Sequence, residues 1–229
     1  ARYHAELGFA VDSATAALCR TLSLDSIAWE RIGQEWRRWL LRAEAPGRGL
    51  DALVYTGAER HFPLLRALRG CPQEPAVHPE GDVWTHTAVV LDAAARRRTG
   101  DAERDWPLML AALLHDVGKP DATARRRGRW RATGHAAVSA ARVPLFLHGV
   151  DRGQRTGRLT RNLVVRHGAV ERLYRRGAGR PDYRRLAAAV DSDLLLRLAE
   201  ADYAGRAGEG AAFAAGERAR AVWEGEGIL

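Results

Sequence analysis

His115 and Asp116 close an apolar run, Trp106-Pro107-Leu108-Met109-Leu110-Ala111-Ala112-Leu113-Leu114, and Lys119 follows three residues later. An imidazole and a carboxylate are metal donors and proton carriers; an ammonium beside them binds anions. Lys119 is the only lysine in the chain, every other basic residue apart from histidine being arginine. A compact ammonium and a planar guanidinium are not interchangeable at a tight anion site. The segment His115-Asp116-Val117-Gly118-Lys119-Pro120 is therefore expected to handle phosphate and metal.

Further polar residues lie on apolar helix faces. His86 shares a stripe with Val89, Val90 and Ala93, and His115 sits above Ala111 and Ala112. Asp202 lies with Leu194, Leu195 and Leu198, His167 with Leu159, Leu163 and Val164, and His135 opens a helix on the side of Val138. Any one of these histidines taken alone reads as a hydrogen-bonded core residue, and Asp202 alone as a cap or a partner of Arg206. Together they turn polar groups from several helices toward one interior. Buried unpaired carboxylates are costly, and neutral imidazoles cannot neutralise them. A divalent metal accepts both donor types at once.

The elements that must position these residues are helical. Alanine and leucine dominate and β-branched residues are sparse, so the expected fold class is all-α. Helices are expected at Asp12–Leu24, Ser26–Ala43, Val83–Arg97, Trp106–His115, His135–Leu147, Arg155–His167, Tyr183–Ala189, Ser192–Ala204 and Gly210–Trp223, with short ones from Gly49 and near Phe62–Leu68. Asp25 or Ser26 is the expected cap of the second, which should pack through Ile27, Ile32, Trp36, Trp39 and Leu40; Asp82 should cap the helix of His86. Asp121–Gly134 reads as an arginine-rich loop, and no strand is expected. Gly70–Asp82, rich in proline and glycine, is a connector, giving a helical region over 1–75 and a second domain over 76–229. The longest apolar stretch is about a dozen residues, too short to span a membrane. Cys19 and Cys71 are isolated, so a reduced, cytoplasmic setting is expected. The net charge of +8 suits an anionic partner, although arginine bias alone would also produce it.

The order His86, His115-Asp116, Asp202 on separate helices resembles the HD superfamily of metal-dependent phosphohydrolases. His78-Pro79-Glu80-Gly81-Asp82-Val83-Trp84-Thr85-His86-Thr87, Leu113-Leu114-His115-Asp116-Val117-Gly118-Lys119-Pro120, Gly134-His135 and Ala201-Asp202-Tyr203-Ala204-Gly205-Arg206 resemble the HD domain of bacterial multifunctional CCA proteins, the tRNA nucleotidyltransferases. Leu7-Gly8-Phe9, Trp29 to Glu35, Phe62-Pro63-Leu64 and Cys71-Pro72-Gln73 are similar to their neck and its junction with the HD domain. The resemblance implies an HD helical bundle preceded by a small helical neck-like region. Nothing here resembles the nucleotidyltransferase head, so the chain is either a stand-alone HD enzyme or a piece of a longer protein.

The resemblance implies a metal on His86, His115, Asp116 and Asp202, with His135 and His167 holding a second metal or contacting phosphate. One ion of manganese, nickel, cobalt, iron or magnesium is expected rather than two. The implied reaction is hydrolysis of 2′,3′-cyclic phosphates or 2′-phosphomonoesters of nucleotides or RNA ends, with tRNA among the partners. Lys119 would hold a phosphate oxygen and His135 or His167 would protonate the leaving oxygen. Arg206, Arg127, Trp130 and His78 are the further substrate-binding candidates; Arg125 to Arg131 read equally as a solvated charged loop. Two alternatives stand: a non-catalytic tRNA-binding neck and body module, and an HD hydrolase of nucleoside triphosphates or signalling nucleotides.

Overall fold

The computed structural model describes residues 1–208 and 210–229 and is all-α apart from one small hairpin. The N-terminal part comprises α1 (Arg2–Leu7), α2 (Ser13–Thr21), α3 (Trp29–Arg42), α4 (Gly47–Thr56) and α5 (Pro63–Arg66). After the non-helical segment at 67–82 come α6 (Val83–Ala95), α7 (Ala102–Leu114) and the single turn α8 (Lys119–Ala122). Strands β1 (Thr123–Arg126) and β2 (Arg129–Ala132) follow, then α9 (His135–Leu147), α10 (Gln154–Arg166), α11 (Ala169–Arg175), α12 (Arg180–Ala187), α13 (Ser192–Ala207) and α14 (Ala214–Glu224). No helix among the described residues is long and apolar enough to cross a membrane.

Helix α7 is the axis of the molecule. It is buried from Asp105 to Leu114 and packs against α3, α6, α10 and α13. A helix apolar on every side can exist only where neighbours cover every side. The apolar core is continuous from Ala5 through Trp39 and Leu91 to Leu195 and Trp223, so the first 75 residues share it with the rest.

Local chemistry explains where helices start. The Asp82 carboxylate accepts from the backbone N–H of Thr85, as expected of a cap. Helix α7 begins at Ala102, earlier than the apolar pattern suggested, because Asp101 caps it through the N–H of Glu103 and its first turn is polar. Helix α3 begins later than expected: neither Asp25 nor Ser26 caps it, Ala28 precedes it without a side-chain cap, and Ile27 is exposed rather than packed. Helices α1 and α11 were not anticipated, being short and carrying too few apolar residues to display a period.

The clearest correction concerns Asp121–Gly134, which is not a loop. Thr123 to Arg126 pair antiparallel with Arg129 to Ala132. Arg127 (φ 50°) and Gly128 (φ 79°) form the turn, both with positive φ, the geometry that matches the twist of a two-residue hairpin. Arginine is an uncommon residue at such a position, and exposed arginines along the strands mask the alternation that would mark them.

Candidate metal centre

Four helix junctions converge on Asp116. It follows the C-terminus of α7, and two close backbone approaches bring donors to it. A Cβ on Gly118 would stand 2.5 Å from the carbonyl oxygen of His135 and from the amide nitrogen of Ser139, so only glycine lets the turn after α7 touch the first turn of α9. Ser139 Oγ accepts from the Gly118 N–H at 2.9 Å and fixes that contact. A Cβ on Gly205 would stand 2.7 Å from Val90 Cγ2, so α13 lies directly on α6 and places Asp202 beside His86.

The distances define one cluster. Asp116 Oδ2 is 3.1 Å from His115 Nε2, 3.8 Å from His86 Nε2 and 2.7 Å from Lys119 Nζ. Asp116 Oδ1 is 3.2 Å from His135 Nε2. His86 Nε2 lies 3.1 Å from Asp202 Oδ1, and His135 Nε2 lies 3.2 Å from His167 Nε2. All six expected donors are therefore together. His86, His115, Asp116 and His167 are buried; the side chains of Asp202 and His135 retain 14% and 24% exposure, which leaves the cluster open on the His135 side.

Hydrogen bonding sets the orientation of the rings. Nδ1 of His115, His135 and His167 lies 2.7–2.8 Å from the carbonyls of Ala112, Ala132 and Val164, each three residues back. A carbonyl only accepts, so each Nδ1 carries the proton and each ring, in its neutral form, presents a bare Nε2 lone pair inward. His86 is held in the same sense by Glu80, whose Oε1 is 2.7 Å from its Nδ1 and 2.8 Å from Nδ1 of His78. The inward side thus collects acceptors. His115 Nε2 is buried without a hydrogen-bond partner, and the buried oxygens of Asp116 face only the Lys119 ammonium, 2.7 Å from Oδ2, and ring nitrogens. His135 and His167, both in the Nδ1–H form, would set two lone pairs 3.2 Å apart. Orphaned buried acceptors need a cation, and imidazole nitrogen with carboxylate oxygen suits a divalent transition metal or magnesium. The residues fit such an ion. Among the described residues three triads have mutually close donor atoms, namely His78–Glu80–His86, His86–His115–Asp116 and Asp116–His135–His167, and Asp202, in none of them, lies against His86 Nε2.

Electrostatics agree with the donor roles. Burial opposes ionisation of Asp116, yet the charges of His115 and Lys119 hold it well below the usual carboxylate range. Burial likewise opposes ionisation of Asp202, and Arg206 and His86 overcome it. Burial also opposes the charge on Glu80, but hydrogen bonds from His78 and His86 bring its pKa to about 2. Burial and the neighbouring His115 lower His167 to about 4, leaving it neutral. For His86 and His135 burial is outweighed by Asp202 and Asp116 respectively, which raise both above 6.5.

Outside the cluster lies a cavity of about 550 Å³, lined by Gln73, His78, Lys119, Trp130, Arg131, His135, Arg172 and Arg175 among others. Lys119 is buried and its Nζ also donates to Gln73 Oε1 at 2.6 Å, so its position is set from two sides. Trp130 and His78 line the cavity as the sequence suggested. Arg127 does not: it sits exposed at the hairpin tip, and Arg131 of the same hairpin takes the place expected of it. Arg206 does not line the cavity either. It is 3.6 Å from Asp202 Oδ1 and 3.2 Å from Glu171 Oε2, a buttress of the centre. Gln73, Glu171 and Arg172 were not recognised as site residues. No periodic pattern marks them, because each arrives from a connector or a surface helix. Glu80 was recognised only as a residue near the first donor helix, and its contact with His86 depends on the turn at residues 78–81.

Fold and site together define an all-helical protein with a candidate metal centre at a helix convergence. Its relatives agree with the sequence reading in part. The chain is 39% identical over 143 residues to the multifunctional CCA protein of Halorhodospira halophila, covering 60% of this chain and 33% of that protein. It is 45% identical over 120 residues to the multifunctional CCA protein of Xanthomonas campestris pv. campestris, covering 50% and 28%, and 38% identical over 147 residues to that of Leptothrix cholodnii, covering 62% and 33%. The matched stretch is homologous to part of multifunctional CCA proteins and spans about a third of their length. No protein-family profile matches the chain.

Proposed function

We propose that the chain carries an HD-type, metal-dependent phosphohydrolase centre acting on 2′,3′-cyclic phosphates or 2′-phosphomonoesters of nucleotides or RNA ends. We further propose that residues 1–75 and 76–229 correspond to the neck and HD portions of a CCA-type protein. The observation that supports hydrolysis best is the inward set of Nε2 lone pairs gathered round the buried Asp116 carboxylate beneath a cavity lined by cationic side chains.

His86, His115, Asp116 and Asp202 would hold a divalent ion, and His135 and His167 with Asp116 a second. Bound there, the metal would supply Lewis acidity toward a phosphoryl oxygen and an activated water. Lys119 has three N–H donors, two directed at Asp116 and Gln73; the third is available to a non-bridging phosphate oxygen. Arg131, Arg172 and Arg175 surround the same space and favour a substrate of more than one negative charge. Of the two histidines considered for proton transfer, His135 lines the cavity and His167 is buried behind it, so with one ion on the first set and no second ion bound, His135 protonated at Nε2 would deliver a proton to the leaving oxygen.

A second reading is favoured by the relatives, which are named as CCA proteins and not as hydrolases. In it the chain is a non-catalytic tRNA-binding neck and body module. One assay separates the readings. Metal-stripped protein is reloaded with manganese or nickel and tested on 2′,3′-cyclic AMP, 2′-AMP, 3′-AMP and p-nitrophenyl phosphate. Metal-dependent opening of the cyclic ester or phosphate release, absent in Asp116→Ala, is expected. No turnover combined with salt-sensitive tRNA binding selects the module; preferential cleavage of triphosphates selects a hydrolase of signalling or triphosphate nucleotides.

A further inference from the structure

We propose that the groove between α9 and α10 is a track for the sugar–phosphate backbone of an RNA strand, leading one end of that strand to the metal centre. The groove encloses about 840 Å³ and is distinct from the cavity over the centre. Ala137 and Ala140 of α9 and Gly157 of α10 line it, so short side chains leave the space between the helices unfilled. Arg158, Arg161 and Arg166 line it from α10.

These three arginines form no hydrogen bond, ion pair or ring contact with any described residue. Other arginines are paired within the molecule: Arg104 bonds to Asp191 and Asp193, Arg180 and Arg184 to Glu226, and Arg220 to Glu200. The acid within the groove, Asp151, is already occupied. Its oxygens accept from Trp106 Nε1 and from the Gly153 N–H, each at 2.6 Å. The groove therefore sets three guanidinium groups against the single carboxylate of Asp151, a surplus of positive charge whose complement is an anion.

The charge is spread rather than convergent. Arg158 and Arg166 are separated by roughly 12 Å along the helix at 1.5 Å per residue, which suits a repeating polyanion better than a single small ion. The direction of the groove favours RNA over an acidic polypeptide. Arg166 immediately precedes His167, and Ala137 lies two residues after His135. The Nε2 atoms of these two histidines are 3.2 Å apart in the metal cluster. A strand along the groove would reach the centre with its terminal phosphate. This direction rests on the phosphohydrolase reading; the charge argument does not.

The test measures binding of a 5′-fluorescein-labelled single-stranded RNA bearing a 3′-phosphate, by anisotropy across a salt series. The parent chain, the double variant Arg158→Ala/Arg161→Ala and the hairpin double variant Arg125→Ala/Arg126→Ala are compared. Both substituted α10 residues are exposed, and unchanged melting temperatures verify that the variants fold. The slope of log K against log salt is expected to fall by about 1.4 in the groove variant, two single-strand phosphate contacts at about 0.7 each, and to stay unchanged in the hairpin variant. An unchanged slope in the groove variant overturns the proposal, as does polyglutamate competing as well as RNA at equal charge. Manganese binding is titrated in parallel on the parent protein. Its absence with the slope change present defeats the phosphohydrolase reading and leaves the groove; the converse defeats the groove alone.

Discussion

Two buried carboxylates bracket α7 and behave in opposite ways. Asp105, near its start, accepts from the Thr99 N–H at 2.6 Å, the Thr99 hydroxyl at 2.9 Å and the Gly100 N–H at 3.0 Å. Asp116, past its end, is equally buried, yet its oxygens meet the Lys119 ammonium and imidazole nitrogens rather than backbone or hydroxyl donors. Asp105 is closed: donors from the preceding turn fill its lone pairs, and its work is to hold the α6–α7 connection. Asp116 is open: apart from the Lys119 ammonium, its neighbours His115 and His135 turn their Nδ1 protons away to backbone carbonyls. Burial alone therefore does not mark a functional acid; what fills its lone pairs does.

The comparison can be broken by exchanging the roles of the two residues. The largest effect is expected from Asp116→Ala, which should abolish manganese or nickel binding and all metal-dependent phosphate release. Asp105→Ala should instead leave metal affinity unchanged and lower stability by about 1–3 kcal/mol, because it removes the hydrogen bonds to a buried charged acceptor that hold the turn at Thr99 and Gly100; denaturant melts check this. If Asp105→Ala also abolishes metal binding, the two sites are not separable.

Next in size is Glu80→Gln. Glu80 orients His86 through Nδ1, so its loss is expected to weaken metal affinity by about 10- to 100-fold without removing a donor, measured by competition with a chromogenic chelator. A variant that binds as tightly as the parent would show that His86 is held by packing alone.

A pH series sharpens the same contrast. His86 and His135 have pKa values raised above 6.5 without metal. Their protonation stabilises the metal-free protein fully below 6.5, and that stability is lost as pH rises through the raised values. Metal requires the neutral rings, so its affinity increases over the same rise. The increase in melting temperature on adding manganese is therefore expected to be larger at about pH 8 than at about pH 6. At a metal concentration of 100 times Kd the added stability is about 2.7 kcal/mol. A pH-independent increase would contradict the imidazole donor set. The smallest effect is expected from Arg127→Ala, at the hairpin tip: turnover of small phosphate esters should stay within experimental error, whereas Lys119→Arg should lose it because a planar guanidinium cannot take the position fixed by Asp116 and Gln73.

Much of the centre was legible in one dimension. His86, His115, Asp116, His135, His167 and Asp202 interrupt apolar stripes, and a helix face is a short-range property that sequence spacing preserves. Trp130 and Arg127 illustrate the opposite case. They are three residues apart, yet one lines the cavity and the other projects from the hairpin tip, because strand pairing and not helical period governs that segment. Gln73 and Glu171 reach Lys119 and Arg206 across 46 and 35 positions. No local pattern encodes such contacts.

The sequence by itself determined the helical class, the central burial of α7 and the identity of the donor side chains, since composition, period and residue chemistry are written along the chain. Only the tertiary structure decided which lone pairs face inward. That choice follows from backbone carbonyls at Ala112, Ala132 and Val164 taking the outer imidazole protons, and from Gly118 and Gly205 letting helices meet closely enough for donors far apart in the chain to share one carboxylate.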